Sequence, residues 1–119
     1  METLTRPTTR TMPLQTAGCC EITLPRQSTE QIALAARRFK ALGDPTRLTI
    51  LSTLVANDEP VCACDLGDDV ELEQPTVAHH LKVLSDTGLV VSEKQGKWAY
   101  YSLHPEAAAW VRAMVAAMG

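Results

Sequence analysis

The stretch from Cys62 to Leu84 constrains the fold most, because it predicts two short helices separated by a tight break. The second helix is expected to run from Gln74 to about Thr87. Pro75 suits its first turn, since the N–H that proline lacks has no helical partner there. At about 100° per residue, one face of this helix is apolar, and it carries Val77, Leu81 and Leu84.

The rest of this helix carries short polar and basic side chains. Such a surface, backed by an apolar stripe, is typical of a recognition helix that places side chains in the major groove of DNA. Taken alone, the pattern fits equally well an amphipathic helix whose polar face meets only water. The helix residues predicted to contact DNA are Gln74, Thr76, Val77, Ala78, His79 and Lys82.

The residues after this helix predict a β-hairpin. Gly88 suits the position just past a helix end, where the left-handed conformation is common. Residues 89–92 and the aromatic-rich residues 98–103 read as strands joined by a turn at 95–97. Lys94 and Lys97 lie at the tip, where they are expected to meet phosphate. The order predicts a mainly α fold with a β-hairpin wing, a winged helix-turn-helix.

Before this unit, the sequence predicts an arm and two helices. Residues 1–28 are rich in Thr, Pro and Arg, lack periodicity and read as a flexible arm. Residues 29–119 are assigned to one domain. Ser28 and Gln31 form a capping-box pattern, so the first helix should begin at Thr29 and end near Leu42. Its residues expected to face inward are Ile32, Ala35, Ala36 and Phe39.

A second helix should follow a break at Gly43, with Asp44 as its N-cap and Pro45 as its first residue. It is expected to end near Asn57. A last helix is predicted to open at 104–106. Its apolar stripe has two uses in a chain this short, either packing on its own core or pairing with a second copy.

The charge of the chain is unevenly distributed. The net charge is −3, but seven of the 14 acidic residues lie from Asp58 to Glu73, and the rest of the chain carries 11 Lys and Arg. Local rather than total charge governs nucleic-acid affinity. No apolar run is long enough to span a membrane. Residues 1–28 contain no apolar segment of signal-peptide length, so a cytoplasmic protein is expected.

The four cysteines form two pairs, Cys19-Cys20 and Cys62-x-Cys64. In a cytosolic chain, paired cysteines favour a metal or redox role over a disulfide framework. Neither pair has the spacing of a structural zinc site. Residues two apart on a helix diverge by about 200°, so Cys62 and Cys64 can share an ion only where the backbone is extended or unwound. The start of a helix there is expected to lower the thiol pKa.

Thiolate sulfur selects soft ions such as As(III), Sb(III), Cd(II), Pb(II) and Bi(III). Three thiolates suit As(III), and four suit Cd(II) or Pb(II). As(III) or Sb(III) is the preferred assignment, with Cd(II) or Pb(II) as the alternative. A thiol redox switch is a second hypothesis. An enzyme is not expected, because the chain has no Cys-x-x-Cys, βαβ pattern or nucleotide-binding loop.

Several segments, in order, resemble the ArsR/SmtB family of metal- and metalloid-sensing repressors. They are FKALGDPTRLTIL (39–51), CACDL (62–66), QPTVAHHLKVLSDTGLV (74–90) and the wing at 96–101. The resemblance implies a homodimer that binds double-stranded operator DNA and leaves it when a thiophilic ion binds. It also implies that CACDL supplies thiolate ligands and that Cys19 and Cys20 close the site from the other subunit.

The resemblance favours a dimer formed by the first and last helices. The residues assigned to that interface are Ile32, Ala36, Trp110, Met114 and Met118. A second family site, built from Asp and His on the last helix, is not expected, because no His follows Glu106. Zinc sensing through that site is therefore not expected. His79 is expected to face outward, and His80 to be packed and hydrogen-bonded.

Overall fold

The computed structural model describes residues 21–70 and 73–119, and the order of their elements is that of a winged helix-turn-helix, as predicted. Cys19 and Cys20 lie outside the described residues, as does most of the predicted arm. Within these described residues, five helices and three strands follow in the order α1 (Thr29–Leu42), α2 (Pro45–Ala56), β1 (Val61–Cys62), α3 (Ala63–Val70), α4 (Gln74–Asp86), β2 (Val90–Gln95), β3 (Trp98–Leu103) and α5 (Ala108–Ala117).

Side-chain caps fix where the first two helices begin. At α1, the Gln31 backbone N–H donates to Ser28 Oγ at 3.1 Å, and the Ser28 N–H donates to Gln31 Oε1 at 2.7 Å. At α2, Asp44 Oδ2 accepts the Arg47 backbone N–H at 3.0 Å. Each cap pairs an amide that the helix itself leaves without a partner. Both predicted starts are confirmed.

The three strands form one antiparallel sheet in the order β1-β3-β2. The β2–β3 hairpin is the wing, and Gly96 turns its tip at a φ of 65°. Strand β1 was not predicted, because two residues are too few to show alternation. It pairs Val61 with Tyr101 and Cys62 with Tyr100, which joins the first cysteine of CACDL to the wing.

The core lies between α2, α3, α4, α5 and the base of the wing. An apolar interior of this kind is the main favourable term in folding. In the described part of the chain no helix is long and apolar enough to cross a membrane. The largest fully buried side chains are Ile50, Leu51, Leu66, Val77, Leu81, Leu84, Leu89, Val90 and Val111.

Helix α1 corrects one prediction. Ile32 and Phe39 were expected to face inward, but they are 49% and 58% exposed in the single chain. Ala36 is exposed as well. Instead, α1 buries only its C-terminal Ala41 and Leu42. The apolar stripe of α1 therefore covers little of this chain's own core.

Candidate DNA-binding surface and thiol pair

Helix α4 presents an outward surface built from exposed side chains. Thr76, Ala78, His79 and Lys82 are exposed, as expected for residues that can reach a groove. Val77 is fully buried and belongs to the core, so its predicted contact with DNA is wrong. It follows Thr76 by 100° around the helix, which turns it toward α2 and α3. Gln74 is the first residue of α4, as predicted.

Lys82 is the only Lys or Arg of α4, and its charge is partly neutralised within the helix. Its Nζ lies 3.3 Å from Asp86 Oδ2, one turn further on. Both side chains are mostly exposed, so solvent screens this pair and it contributes little to stability. Its effect is local, because it reduces the positive charge that α4 offers to phosphate.

His80 connects α4 to α2. Arg47 Nε donates to His80 Nδ1 at 3.0 Å, and Asp44 Oδ2 lies 3.9 Å from the same nitrogen. Arg47 Nη1 also donates to the carbonyl of Ala41 at 3.1 Å. The expectation that His80 is packed and hydrogen-bonded is confirmed. Arg47 therefore links the end of α1, the start of α2 and α4.

The wing tip carries two exposed lysines, Lys94 and Lys97. Lys97 Nζ lies 5.2 Å from the ring centroid of Trp98, within cation–π range. Trp98 is 48% exposed, so the tip is an aromatic surface as well as a cationic one. The sequence signal for this was the placement of Trp98 directly after the turn.

The thiols of Cys62 and Cys64 lie side by side, with their Sγ atoms 2.6 Å apart. Cys62 ends β1 and is 7% exposed, whereas Cys64 lies in the first turn of α3 and is half-buried. The change from extended to helical backbone at Ala63 brings the two side chains together. This is the backbone condition that the spacing required for two sulfurs to share an ion.

The pKa of Cys64 is raised from 9.0 to about 11. The main cause is its hydrogen bond with the Cys62 thiol, with smaller contributions from burial and from the charges of Cys62 and Asp65. The expected lowering of this pKa by the helix start is therefore wrong, because the neighbouring sulfur dominates. An ion that binds both sulfurs as thiolates displaces their protons.

The thiol pair is an incomplete site in the described part of the chain. Within residues 21–70 and 73–119, no group of three or more His, Cys, Asp or Glu side chains could hold a metal ion. Two sulfurs are available at Cys62 and Cys64, and the nearby Asp65 Oδ1 is 3.9 Å from Cys64 Sγ.

Helices α1 and α5 share an exposed apolar surface. A groove of about 290 Å³ lies between them, and the rings of Phe39 and Trp110 meet edge to face with centroids 5.5 Å apart. Trp110 and Met114 are half-buried against the core, while Met118 is exposed beside them. Together with the exposed Ile32 and Ala36, the residues assigned to a dimer interface therefore lie on α1, on α5 and, for Met118, at the C-cap of α5. The groove is lined by Gln31, Leu34, Ala35, Arg38, Phe39 and Trp110.

The chain is similar to several curated regulators. It is 40% identical over 77 residues to the arsenic resistance transcriptional regulator ArsR1 of Pseudomonas putida, covering 65% of this chain and 59% of that protein. It is 39% identical over 82 residues to the arsenical resistance operon repressor of Escherichia coli, covering 69% of each. It is also 41% identical over 71 residues to a cadmium resistance transcriptional regulatory protein CadC homolog of Staphylococcus aureus, covering 60% of this chain and 58% of that protein. The chain thus spans less than two thirds of the first and third of these relatives.

A solved structure agrees with the fold. The homodimeric winged helix-turn-helix DNA-binding domain Mb0332 of Mycobacterium bovis superposes with a TM-score of 0.65 at 26% identity. The match covers 80% of this chain and 89% of that one. The model of the family described as "Bacterial regulatory protein, arsR family" matches residues 44–92, from the cap of α2 into β2. The relatives are named as transcriptional regulators, in line with the prediction of a regulator rather than an enzyme. The chain belongs to the arsR family of bacterial regulatory proteins.

Proposed function

We propose that this protein is a repressor that binds operator DNA as a homodimer and releases it when As(III) or Sb(III) binds cysteine thiolates. The observation that carries the proposal is the pair of thiols at the junction of β1 and α3, with sulfurs 2.6 Å apart. That junction is one short helix away from the helix whose surface is suited to reading DNA.

DNA binding is supported by the surface formed by α4 and the wing. Short polar side chains on α4 suit base edges in the major groove, and lysines at the tip of a hairpin suit phosphates. His79 on α4 and Lys97 at the wing tip are both exposed. The contacts of His80 with α2 hold α4 in place without using the outward face.

Dimerisation is supported by the exposed apolar surface of α1 and α5. Exposed patches of this kind mark interaction sites on small proteins. Ile32, Phe39 and Met118 are each about half-exposed in one chain, and a second copy would remove them from water. The homodimeric domain from Mycobacterium bovis has a similar fold.

The choice of ion follows from the number of sulfurs. Cys62 and Cys64 would supply two, and one thiolate from the arm pair Cys19-Cys20 of the other subunit would complete a three-sulfur site suited to As(III). If both arm thiolates bound, four sulfurs would suit Cd(II) or Pb(II), and the relatives include proteins named for arsenic and for cadmium. A redox switch would instead join an arm cysteine to Cys62 or Cys64 as a disulfide.

The position of the thiols provides a route from ion to DNA. Cys62 pairs with Tyr100 of the wing strand, and Cys64 lies in the helix that precedes α4. An ion held by these two sulfurs and an arm thiolate would pull on the wing strand through Cys62 and on α3 through Cys64. Ion and operator then favour different conformations, so each weakens the binding of the other.

The test is a release titration with the purified protein and fluorescent operator DNA under strict reduction. As(III), Sb(III), Cd(II), Pb(II) and Zn(II) are added side by side, and anisotropy reports release. We expect As(III) and Sb(III) to release DNA at the lowest concentrations and Zn(II) not to release it. Release only after oxidation would contradict the proposal and support the redox switch. Release by Cd(II) or Pb(II), with none by As(III) or Sb(III), would identify Cd(II) or Pb(II) as the inducer.

Two substitutions separate base reading from phosphate binding. His79→Ala should weaken operator binding by about 1–3 kcal/mol while leaving binding to unrelated DNA unchanged, because a base contact is lost. Lys97→Ala should weaken binding to DNA of every sequence alike. It should also reduce the steepness of log affinity against log salt by about one unit per subunit. Both residues are exposed, so urea unfolding should match wild type. Wild-type affinity in both variants would show that this surface does not read DNA.

A further inference from the structure

A second basic surface lies beside α4, away from the wing. It is a groove of about 370 Å³ at the junction of α1, α2 and α4. Of the described side chains that line it, three are cationic and none is acidic. The groove is lined by Arg37, Lys40, Ala41, Arg47, Val83 and Thr87.

Two of the three cations are free to bind a ligand. In the described part of the chain, Arg37 and Lys40 make neither an ion pair nor a side-chain hydrogen bond, and both are exposed. Arg47 is already used, because it bonds to His80 and to the carbonyl of Ala41. Asp44, the neighbouring carboxylate, accepts the backbone N–H of Arg47. The groove therefore combines one cation that is already hydrogen-bonded, Arg47, with two exposed cations, Arg37 and Lys40.

The position of the groove identifies its ligand. Val83, which lines it, lies one turn beyond His79 on α4, so a duplex held against His79 passes the groove on the same helix flank. The only cation of α4 is paired with Asp86, so that helix offers little free charge to phosphate. Phosphate contacts supply most non-specific affinity for DNA, and in a chain of net charge −3 they must come from local clusters.

We propose that this groove binds phosphates of the operator backbone through Arg37 and Lys40, so that α1 forms part of the DNA-binding surface. The inference rests on the proposed DNA-binding function and deepens it. The phosphates belong to the strand that runs along the α2 side of α4, whereas the wing lysines meet phosphate elsewhere. Such contacts fix the register of the protein on DNA without reading sequence.

The test uses the full chain with Arg37→Gln and Lys40→Gln combined, and a control with Arg26→Gln and Arg112→Gln combined. The control removes the same charge from exposed residues outside the groove. Affinity for operator and for unrelated DNA is measured over a range of salt concentrations. We expect the groove variant to lose about fivefold in affinity per lost contact near 0.15 M salt, and about one unit of salt slope per cation removed. The preference for operator over unrelated DNA should be unchanged.

Two results would contradict phosphate binding by the groove without contradicting DNA binding by the protein. One is a salt slope equal to that of wild type. The other is an equal loss in the control, which would assign the effect to total charge. If the wild-type protein bound no operator, the proposed function itself would be wrong, and this inference would fall with it.

Discussion

A Cys64→Ser variant is expected to bind operator as tightly as wild type and to remain bound at As(III) concentrations that release the wild-type protein. The serine hydroxyl keeps the size of the side chain but has little affinity for a soft ion. Cys64 is half-buried at the surface end of the thiol pair, so the substitution leaves the core intact. Coupling between sites is typically about 5–150-fold, and the variant should lose that response.

Cys62→Ser should give the same result, because both sulfurs are needed. The companion variant, Cys19→Ser combined with Cys20→Ser, tests the arm and should respond only at higher concentrations or not at all. Anisotropy of labelled operator reports each response. If the Cys64→Ser protein released DNA at the wild-type concentration of As(III), the inducer would bind at a site other than this pair.

Trp110→Asp is expected to convert the dimer to a monomer and with it to abolish tight operator binding. Trp110 packs edge to face on Phe39 beside the exposed groove of α1 and α5. An unpaired carboxylate buried there costs about 3–5 kcal/mol, which corresponds to at least about 100-fold in dimer dissociation. A monomer holds only one half-site and therefore binds weakly.

Trp110 also packs against the core of its own chain, so its substitution could act on folding as well as on the dimer. Ile32→Asp is therefore the second variant, and it is expected to give monomers too. Ile32 is 49% exposed in one chain, so a charge there leaves the fold unaffected and acts only on a dimer. Trp110→Phe is the conservative control and should stay dimeric. Sedimentation of the Ile32→Asp protein as an intact dimer would place the interface elsewhere.

The sequence predicted the helices of this fold well because their ends carry local signals. Ser28, Asp44 and Pro75 mark three helix starts through hydrogen bonds or a fixed φ that depend on a few neighbouring residues. The last helix was less well placed. The Glu106 N–H bonds to His104 Nδ1 in a turn, so α5 begins only at Ala108.

What the sequence could not predict depends on contacts between distant residues. Strand β1 exists because Val61 and Cys62 pair with Tyr101 and Tyr100 some 40 residues later. The inward placement of Ile32 followed from periodicity, which identifies an apolar face without saying which partner covers it. The pKa of Cys64 depends on the neighbouring thiol rather than on the helix start alone.

Ion binding at the thiol pair and operator binding are expected to oppose each other, and thermodynamic linkage measures this opposition. As(III) affinity is measured for the free protein and for the protein–operator complex, and operator affinity is measured with and without saturating As(III). We expect As(III) to bind the complex about 5–150-fold more weakly than the free protein, and saturating As(III) to weaken operator binding by the same factor. Equal As(III) affinity in the free and operator-bound protein would contradict it.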